Sequence, residues 1–428
     1  MNAYRLTTLI CLNLLVLAVF FVIGKAILHS KPIKSFAQPL TVKRIWKVQA
    51  IDAMKYTRDI AREKLDKPEF DADIDMMVSN IAATGATHIA LGTPYDDEFI
   101  PFLTRWVESA RKHKLKVWFR GNFSGWEEWF DYEGISRQQH IAKTHEFITQ
   151  NPTLFEDGDI FTACPECENG GPGDPRQNQS DEQTQAYRDF LVALDIKAKA
   201  AFSLINKSVE TNYYSMNGDV AKLIMDEETS DRLGDLMVVD HYVYSPVRLN
   251  NDVTAYGQDS NTKVVLGEFG APIPDIHGDM TEAQQAEWLK EALTLLSKNE
   301  YLVGLNYWVN VGGSTQIWDY DKKRQAVDVL SDFFKPKQVR LRAVNELSEP
   351  IIDLTVYQDS KPLRSNDNGV VDLMYVYDAP TIRISSDGYM DQTILVKEGE
   401  NNIVLVKQPD DFWFTLRLFI KKTFPSIY

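Results

Sequence analysis

From residue 45 onward, short apolar runs alternate with longer stretches in which apolar residues recur every three or four positions. Short runs bounded by turn residues predict buried strands, and the longer period predicts amphipathic helices. Strands are expected at 45–51, 88–91, 116–119, 159–164, 208–213, 236–239, 264–270 and 303–307. Helices are expected at 71–84, 99–113, 138–149, 184–205 and 282–297. The 99–113 pattern is a clear one, with Phe102, Leu103, Trp106, Val107 and Ala110 at helical spacing. Repeated strand–helix units imply a parallel sheet. About eight of them over roughly 290 residues predict an α/β chain folded as a (β/α)8 TIM barrel. A doubly wound open sheet would usually carry a Gly-rich phosphate loop early in the chain, and none is visible.

Both ends of the chain depart from this pattern. Residues 6–28 are nearly all apolar, interrupted by Asn13 and Lys25. Roughly 20 apolar residues span a bilayer, so residues 1–30 are expected to be an N-terminal transmembrane helix, a membrane anchor or signal-anchor. A Pro- and Lys-containing linker follows at 31–40, and the barrel domain covers 41–335. Beyond 337 the period becomes two, with Val339, Leu341 and Ala343 alternating with Arg340 and Arg342. Further strand-like runs lie at 354–357, 370–375, 381–384, 392–396 and 402–406, and the turn signal Asn366-Asp367-Asn368-Gly369 precedes the second of them. With no helical stretch between them, residues 338–408 predict a small C-terminal all-β sandwich. The tail 409–428 is amphipathic and too short in its apolar part to span a membrane.

Composition narrows the chemistry. A formal charge of -15 argues against a nucleic-acid partner. Nine Trp, eighteen Tyr and twenty-one Phe exceed what a core needs, and flat apolar rings suit the faces of sugars. Cys164 and Cys167 form a C-x-x-C, which fits a disulfide or two free thiols. A zinc site would need a second Cys or His pair at suitable spacing, and none is present, so no metal or cofactor is expected.

In a barrel the active site is built at the C-terminal ends of the strands. The unusual polar and aromatic residues fall there: Arg120 and Asn122, Glu166, His241 with Tyr242, Glu268, and Trp308, with Asp52 and Tyr213 at two further strand ends. Trp126, Trp129, Phe130 and Tyr132 lie in the loop after the third strand, where they would stack on sugar rings or staple the loop. Glu166 ends the fourth strand and Glu268 the seventh, on opposite sides of the barrel mouth. Paired carboxylates across a cleft are what glycoside cleavage requires, one protonating the leaving oxygen and the other attacking carbon or activating water.

These residues carry a family resemblance. Residues 40–335 resemble a clan A glycoside hydrolase, nearest to family 5, the cellulase and mannanase type. The segment Ile160-Phe161-Thr162-Ala163-Cys164-Pro165-Glu166 resembles its acid/base strand, and Val265-Leu266-Gly267-Glu268-Phe269-Gly270 its nucleophile strand. The resemblance implies a retaining glycosidase with Glu166 as acid/base and Glu268 as nucleophile. It also implies that His241, Tyr242, Trp308, Arg120, Asn122 and Trp126 serve an oligo- or polysaccharide substrate. Two positions depart from the family pattern. Pro165 stands where the family has Asn, with Glu168 nearby as an alternative acid, and the Arg beside the nucleophile is missing after the second strand. Arg120 or Arg58 would replace that Arg. The sandwich is similar to carboxypeptidase regulatory-like domains through Asp367-Asn368-Gly369 and Ser386-Asp387-Gly388-Tyr389, which implies a spacer without chemistry. A glycan substrate places the barrel outside the cell, at the end of a single-pass anchor.

Overall fold

The computed structural model describes residues 43–177, 180–358 and 361–408. The expected anchor and linker (1–40) and the tail (409–428) lie outside the described residues. Among the described residues no helix is long and apolar enough to cross a membrane.

Eight parallel strands form the main sheet: β1 (Val48–Asp52), β2 (His88–Leu91), β3 (Lys116–Phe119), β4 (Ile160–Phe161), β5 (Ser215–Asn217), β6 (Leu236–Asp240), β7 (Lys263–Phe269) and β8 (Leu302–Tyr307). Their hydrogen-bonded order is β4-β3-β2-β1-β8-β7-β6-β5. The ring closes through a parallel bridge from Ile160 of β4 to Glu210, in the segment that leads into β5. Bonds from the Phe161 N–H to the Glu210 carbonyl (2.8 Å) and from the Glu166 N–H to the Ser215 carbonyl (2.8 Å) extend that closure. The fifth strand is a correction. Its regular ladder lies at Ser215–Asn217 rather than at 208–213, and the predicted stretch contributes the bridge instead.

The strand period of two sorts side chains into two cores. Val48, Ala50, Ala90, Trp118, Ile160, Tyr213, Val238 and Val265 form a cluster of their own in the barrel interior. Ile51, Ile89, Leu91, Val117, Phe119, Val239, Val264 and Leu266 pack outward with the surrounding helices. Continuing the inward alternation by two residues from Ala50, Trp118, Val238 and Gly304 reaches Asp52, Arg120, Asp240 and Asn306. An apolar layer is therefore capped by a polar one at the C-terminal end of the strands.

The layer is braced from outside. The helix Arg137–Gln150 begins with a capping box between Ser136 and Gln139. It presents buried His140, whose Nε2 lies 2.9 Å from Asn122 Oδ1 in the loop after β3. Tyr95 stacks on Phe147 (4.5 Å) and Phe161 (5.1 Å). Its hydroxyl donates to the Thr162 carbonyl (2.8 Å) and accepts from the Gly121 N–H (3.0 Å), tying the ends of β3 and β4 together.

Among the described residues, seven strands follow the barrel's last helix, Gln325–Phe334, in two sheets. One holds Lys337–Val344 between Val370–Tyr375 and Gly399–Val404; the other holds Thr355–Gln358, Lys361–Arg364, Thr381–Ser385 and Gln392–Leu395. Val339, Leu341, Val371 and Leu373 from the first meet Val356, Ile382 and Ile384 from the second in one apolar core, as a sandwich requires. The strand Lys361–Arg364 was not expected from the sequence. The sandwich meets the barrel through Tyr377, whose ring lies edge-on to Phe333 at 5.5 Å.

Replacing Tyr95 by Phe keeps the stacking but orphans the buried Gly121 N–H and Thr162 carbonyl. A loss of roughly 1–3 kcal/mol is expected, read as a lower midpoint in urea with an unchanged slope.

Candidate active site

The polar layer is centred on Arg120, which is completely buried. Its Nη1 donates to Asp52 Oδ2 (2.7 Å) and Glu268 Oε1 (2.9 Å), and its Nη2 to Asp240 Oδ2 (2.9 Å) and Ser215 Oγ (3.1 Å). Burial pulls the guanidinium's pKa down, while Asp240, Glu268 and Asp52 push it up; the carboxylates win, and it ends well above its ordinary value. Asn306 of β8 donates to Asp52 Oδ2 (2.9 Å) and to the Gly267 carbonyl (2.8 Å). One buried cation thus faces three carboxyl groups. Burial raises the Asp240 carboxyl well above the usual range despite Arg120, with the charges of Glu268 and Glu166 adding to the rise.

Glu268 reaches Arg120 because β7 breaks its alternation. The β6–β7 register shifts between Val239 and Asp240, and the β7–β8 register shifts between Leu266 and Phe269. Such irregularities re-aim a side chain beside a site. Gly267 makes room for the shift, since a Cβ there would lie 2.3 Å from Asp240 Oδ1 and 2.9 Å from the Ser215 Cβ. The second Glu268 oxygen accepts from the Tyr242 hydroxyl (2.8 Å). Burial first, then the Glu268 charge, hold that phenol well above its ordinary pKa, so it stays a donor. Tyr242 stands edge-on to Trp308 at 6.1 Å.

Glu166 occupies a left-handed backbone position (φ 42, ψ 49) at the end of the loop from β4. Its carboxyl is pushed up to about 8, first by burial and then by the charges of Glu268 and Glu168. It shares a cavity of about 220 Å³ with Glu268, Arg120, Arg58, Trp129, Glu127, Pro165, Asn169 and Met54. The fourth- and seventh-strand carboxyls therefore open into one space, one with its pKa raised and the other held by two donors. Trp129 is 37% exposed and carries the Arg58 guanidinium 4.3 Å above its ring.

Several predicted residues sit elsewhere. Trp126 is 1% exposed, stacks on Phe190 (5.2 Å) and donates from Nε1 to the Cys167 carbonyl (3.0 Å), so it staples the loop and offers no face to a sugar. Asn122 is buried among His140, Glu127 and Cys164, which engage its amide. His241 turns its ring to Asp252 (2.9 Å) on the helix Pro246–Asp259, while its N–H bonds to the Glu268 carbonyl (2.9 Å). Burial lowers its pKa, leaving a neutral ring that orients the strand end. Glu168 is buried and accepts from the Asn217 N–H (2.6 Å) and side chain (3.0 Å), which is a structural role. Tyr213 belongs to the barrel interior, and Asp52 joins the Arg120 cluster. Sequence reasoning missed Asp240 and Asn306, although both end strands already recognised, and it missed Glu127. No group of His, Cys, Asp and Glu among the described residues is arranged to hold a metal ion.

No protein-family model matches the chain, and no curated protein sequence does. Solved structures resemble it in outline. A GH5_18 enzyme from Bifidobacterium longum subsp. longum, in complex with Manβ1-4GlcNAc, is 16% identical over 71% of this chain and 84% of its own, with a TM-score of 0.48. A trimodular GH5_4 endoglucanase is 12% identical over 86% and 79%, with a TM-score of 0.49. An FMN-binding β-glucuronidase from Facaelibacterium prausnitzii is 11% identical over 77% of this chain, which spans about half (53%) of that enzyme, with a TM-score of 0.42. The barrel assignment rests on the strand ladder itself.

Replacing Arg120 by Met strips three carboxyl groups of their shared cation. Breaking buried pairs this way is expected to cost about 3–5 kcal/mol in urea unfolding at pH 7. Glu166 gives a pH signature. Its folded pKa of about 8 lies above the unfolded value, so the folded chain binds the extra proton between the two and loses stability as pH rises through that window. The melting temperature of Glu166→Gln minus that of the wild type should therefore grow from pH 5 to pH 9 and then level off.

Proposed function

We propose that this chain is a retaining glycoside hydrolase acting on β-linked glycans, with Glu268 as nucleophile and Glu166 as acid/base. The observation that carries this reading is the shared cavity, in which one carboxyl is protonated at neutral pH and the other is held as a hydrogen-bond acceptor. In the first step Glu268 attacks the anomeric carbon while Glu166 protonates the departing glycosidic oxygen. In the second, Glu166, now a carboxylate, takes a proton from water as the water displaces Glu268. Arg120 and Tyr242 bind the carboxylate when it is free, which favours its release from the covalent intermediate. Trp308 and Trp129 supply apolar faces for sugar rings beside the carboxyl pair.

The Cys164–Cys167 disulfide supports an oxidising compartment, and we read residues 6–28 as the anchor that holds the barrel outside the cell. The sandwich is read as a spacer. A glycan-binding barrel without turnover is the second reading, favoured by Pro165 in place of the family's Asn.

The test uses the fragment from residue 38 on a panel of β-glucans, β-mannans and xylan. Glu166→Gln is expected to lower kcat about 10²–10⁴-fold, and Glu268→Gln at least as much. The rate should fall above about pH 8 as Glu166 loses its proton. Proton NMR of the first product should show the substrate's anomeric configuration. Binding of one glycan with no turnover would favour the second reading, and an inverted product would make Glu268 a general base.

A further inference from the structure

Cys164 and Cys167 are joined, and the ring they close encloses only Pro165 and Glu166. We propose that this disulfide is the positioning element for Glu166, holding its carboxyl in the barrel mouth, and that opening the ring with a dithiol releases it. The inference rests on the reading above only in naming Glu166 the acid.

The side chains at the mouth are held in different ways. Glu268 is gripped directly by Arg120 and Tyr242, and Glu168 by Asn217. No hydrogen bond reaches the Glu166 carboxyl from any described residue. Its place is therefore set through its backbone. That backbone is left-handed, which is unfavourable for a residue with a Cβ and persists only when its surroundings over-determine it. The Glu166 N–H bonds to the Ser215 carbonyl (2.8 Å), and its own carbonyl accepts from the Asn169 N–H (2.8 Å). The ring adds the remaining constraint. Proline fixes φ on one side, and the sulfur bridge fixes the distance across the pair. Both cysteines are buried, and the ring is seated by Trp126 Nε1 on the Cys167 carbonyl and by Asn122 Nδ2, 3.6 Å from Cys164 Sγ. The loop thus sits on a packed wall with its one unbonded carboxyl aimed into the cleft.

The opening step balances. A dithiol thiolate attacks one sulfur, the resulting mixed disulfide is resolved by the second thiol, and the protein gains two thiols as the reductant becomes a cyclic disulfide.

The experiment titrates Glu166 by carbon NMR of glutamate-labelled protein, the resonance being assigned by its loss in Glu166→Gln. The groups facing it are Arg58, Arg120, Glu127, Glu168, Asp240, Tyr242 and Glu268. Three samples are compared: the wild type, C164A/C167A, and the wild type treated with dithiothreitol until alkylation counts two further thiols. The oxidised midpoint is expected near 8. With the ring open it should fall by at least one pH unit, and reoxidation of the reduced wild type should restore it. An unchanged midpoint with the ring open would overturn the proposal. So would loss of near-ultraviolet circular dichroism in both opened forms, which would make the ring a general staple. Where a substrate is turned over, kcat should drop at least tenfold with KM within twofold. A wild type without turnover sinks the hydrolase reading and leaves the titration informative.

Discussion

The Arg120 guanidinium is the contact on which the upper half of the barrel depends. It follows β3 and joins β1 through Asp52, β5 through Ser215, β6 through Asp240 and β7 through Glu268. Asn306 adds β8 by bonding Asp52 and the Gly267 carbonyl. A parallel barrel is hydrogen-bonded only between neighbours, so a cation that spans its width fixes the shape of the mouth. Desolvating that charge is costly unless it is paired; Nη1 and Nη2 make its four hydrogen bonds, while Nε has no partner among the described residues. The surrounding carboxyls meet that cost, and Asp52 also accepts from the Met54 N–H (2.7 Å) where the chain leaves β1.

The same cluster controls the protons. With more carboxyls than cations in a dry region, not all of them can ionise. Glu268 accepts from both Arg120 and Tyr242. Glu166 has no such donor among the described residues and is penalised by burial and by the charge of Glu268. The difference between two chemically identical groups is therefore a matter of which one holds the donors.

Stiffness around the mouth comes from side chains that touch no ligand site. Trp126 packs so closely over the loop after β4 that a Cβ at Gly171 would lie 2.3 Å from its Cε2, and glycine is needed there for its positive φ as well. His140, Asn122 and Tyr95 brace the loops after β3 and β4 from the helical layer. Aromatic abundance thus divides between walls and cleft, with Trp126 in the wall and Trp129 in the cavity.

The barrel, the sandwich and the pair of strand-end glutamates were legible from the sequence because each is written in a local period. Runs of β-branched and aromatic residues, helical spacing and turn signals need no knowledge of distant contacts. The strand-end rule then placed Arg120, Glu166, Tyr242 and Glu268 at the mouth. What the sequence alone left open depends on direction. Strand alternation would point Glu268 outward, and only the register shift around Gly267 turns it to Arg120. His241 and Tyr242 are adjacent in sequence, yet one faces a helix and the other the carboxylate. Trp126 and Trp129 are three residues apart, yet one is buried in the wall and the other lines the cavity. The fifth strand slid to Ser215–Asn217 because its pairing is set by β6, to which the 208–213 stretch forms no ladder. Periodicity determines which residues reach the mouth; the bulges, the packing of the loops and the search for partners by buried charges decide which of them meet.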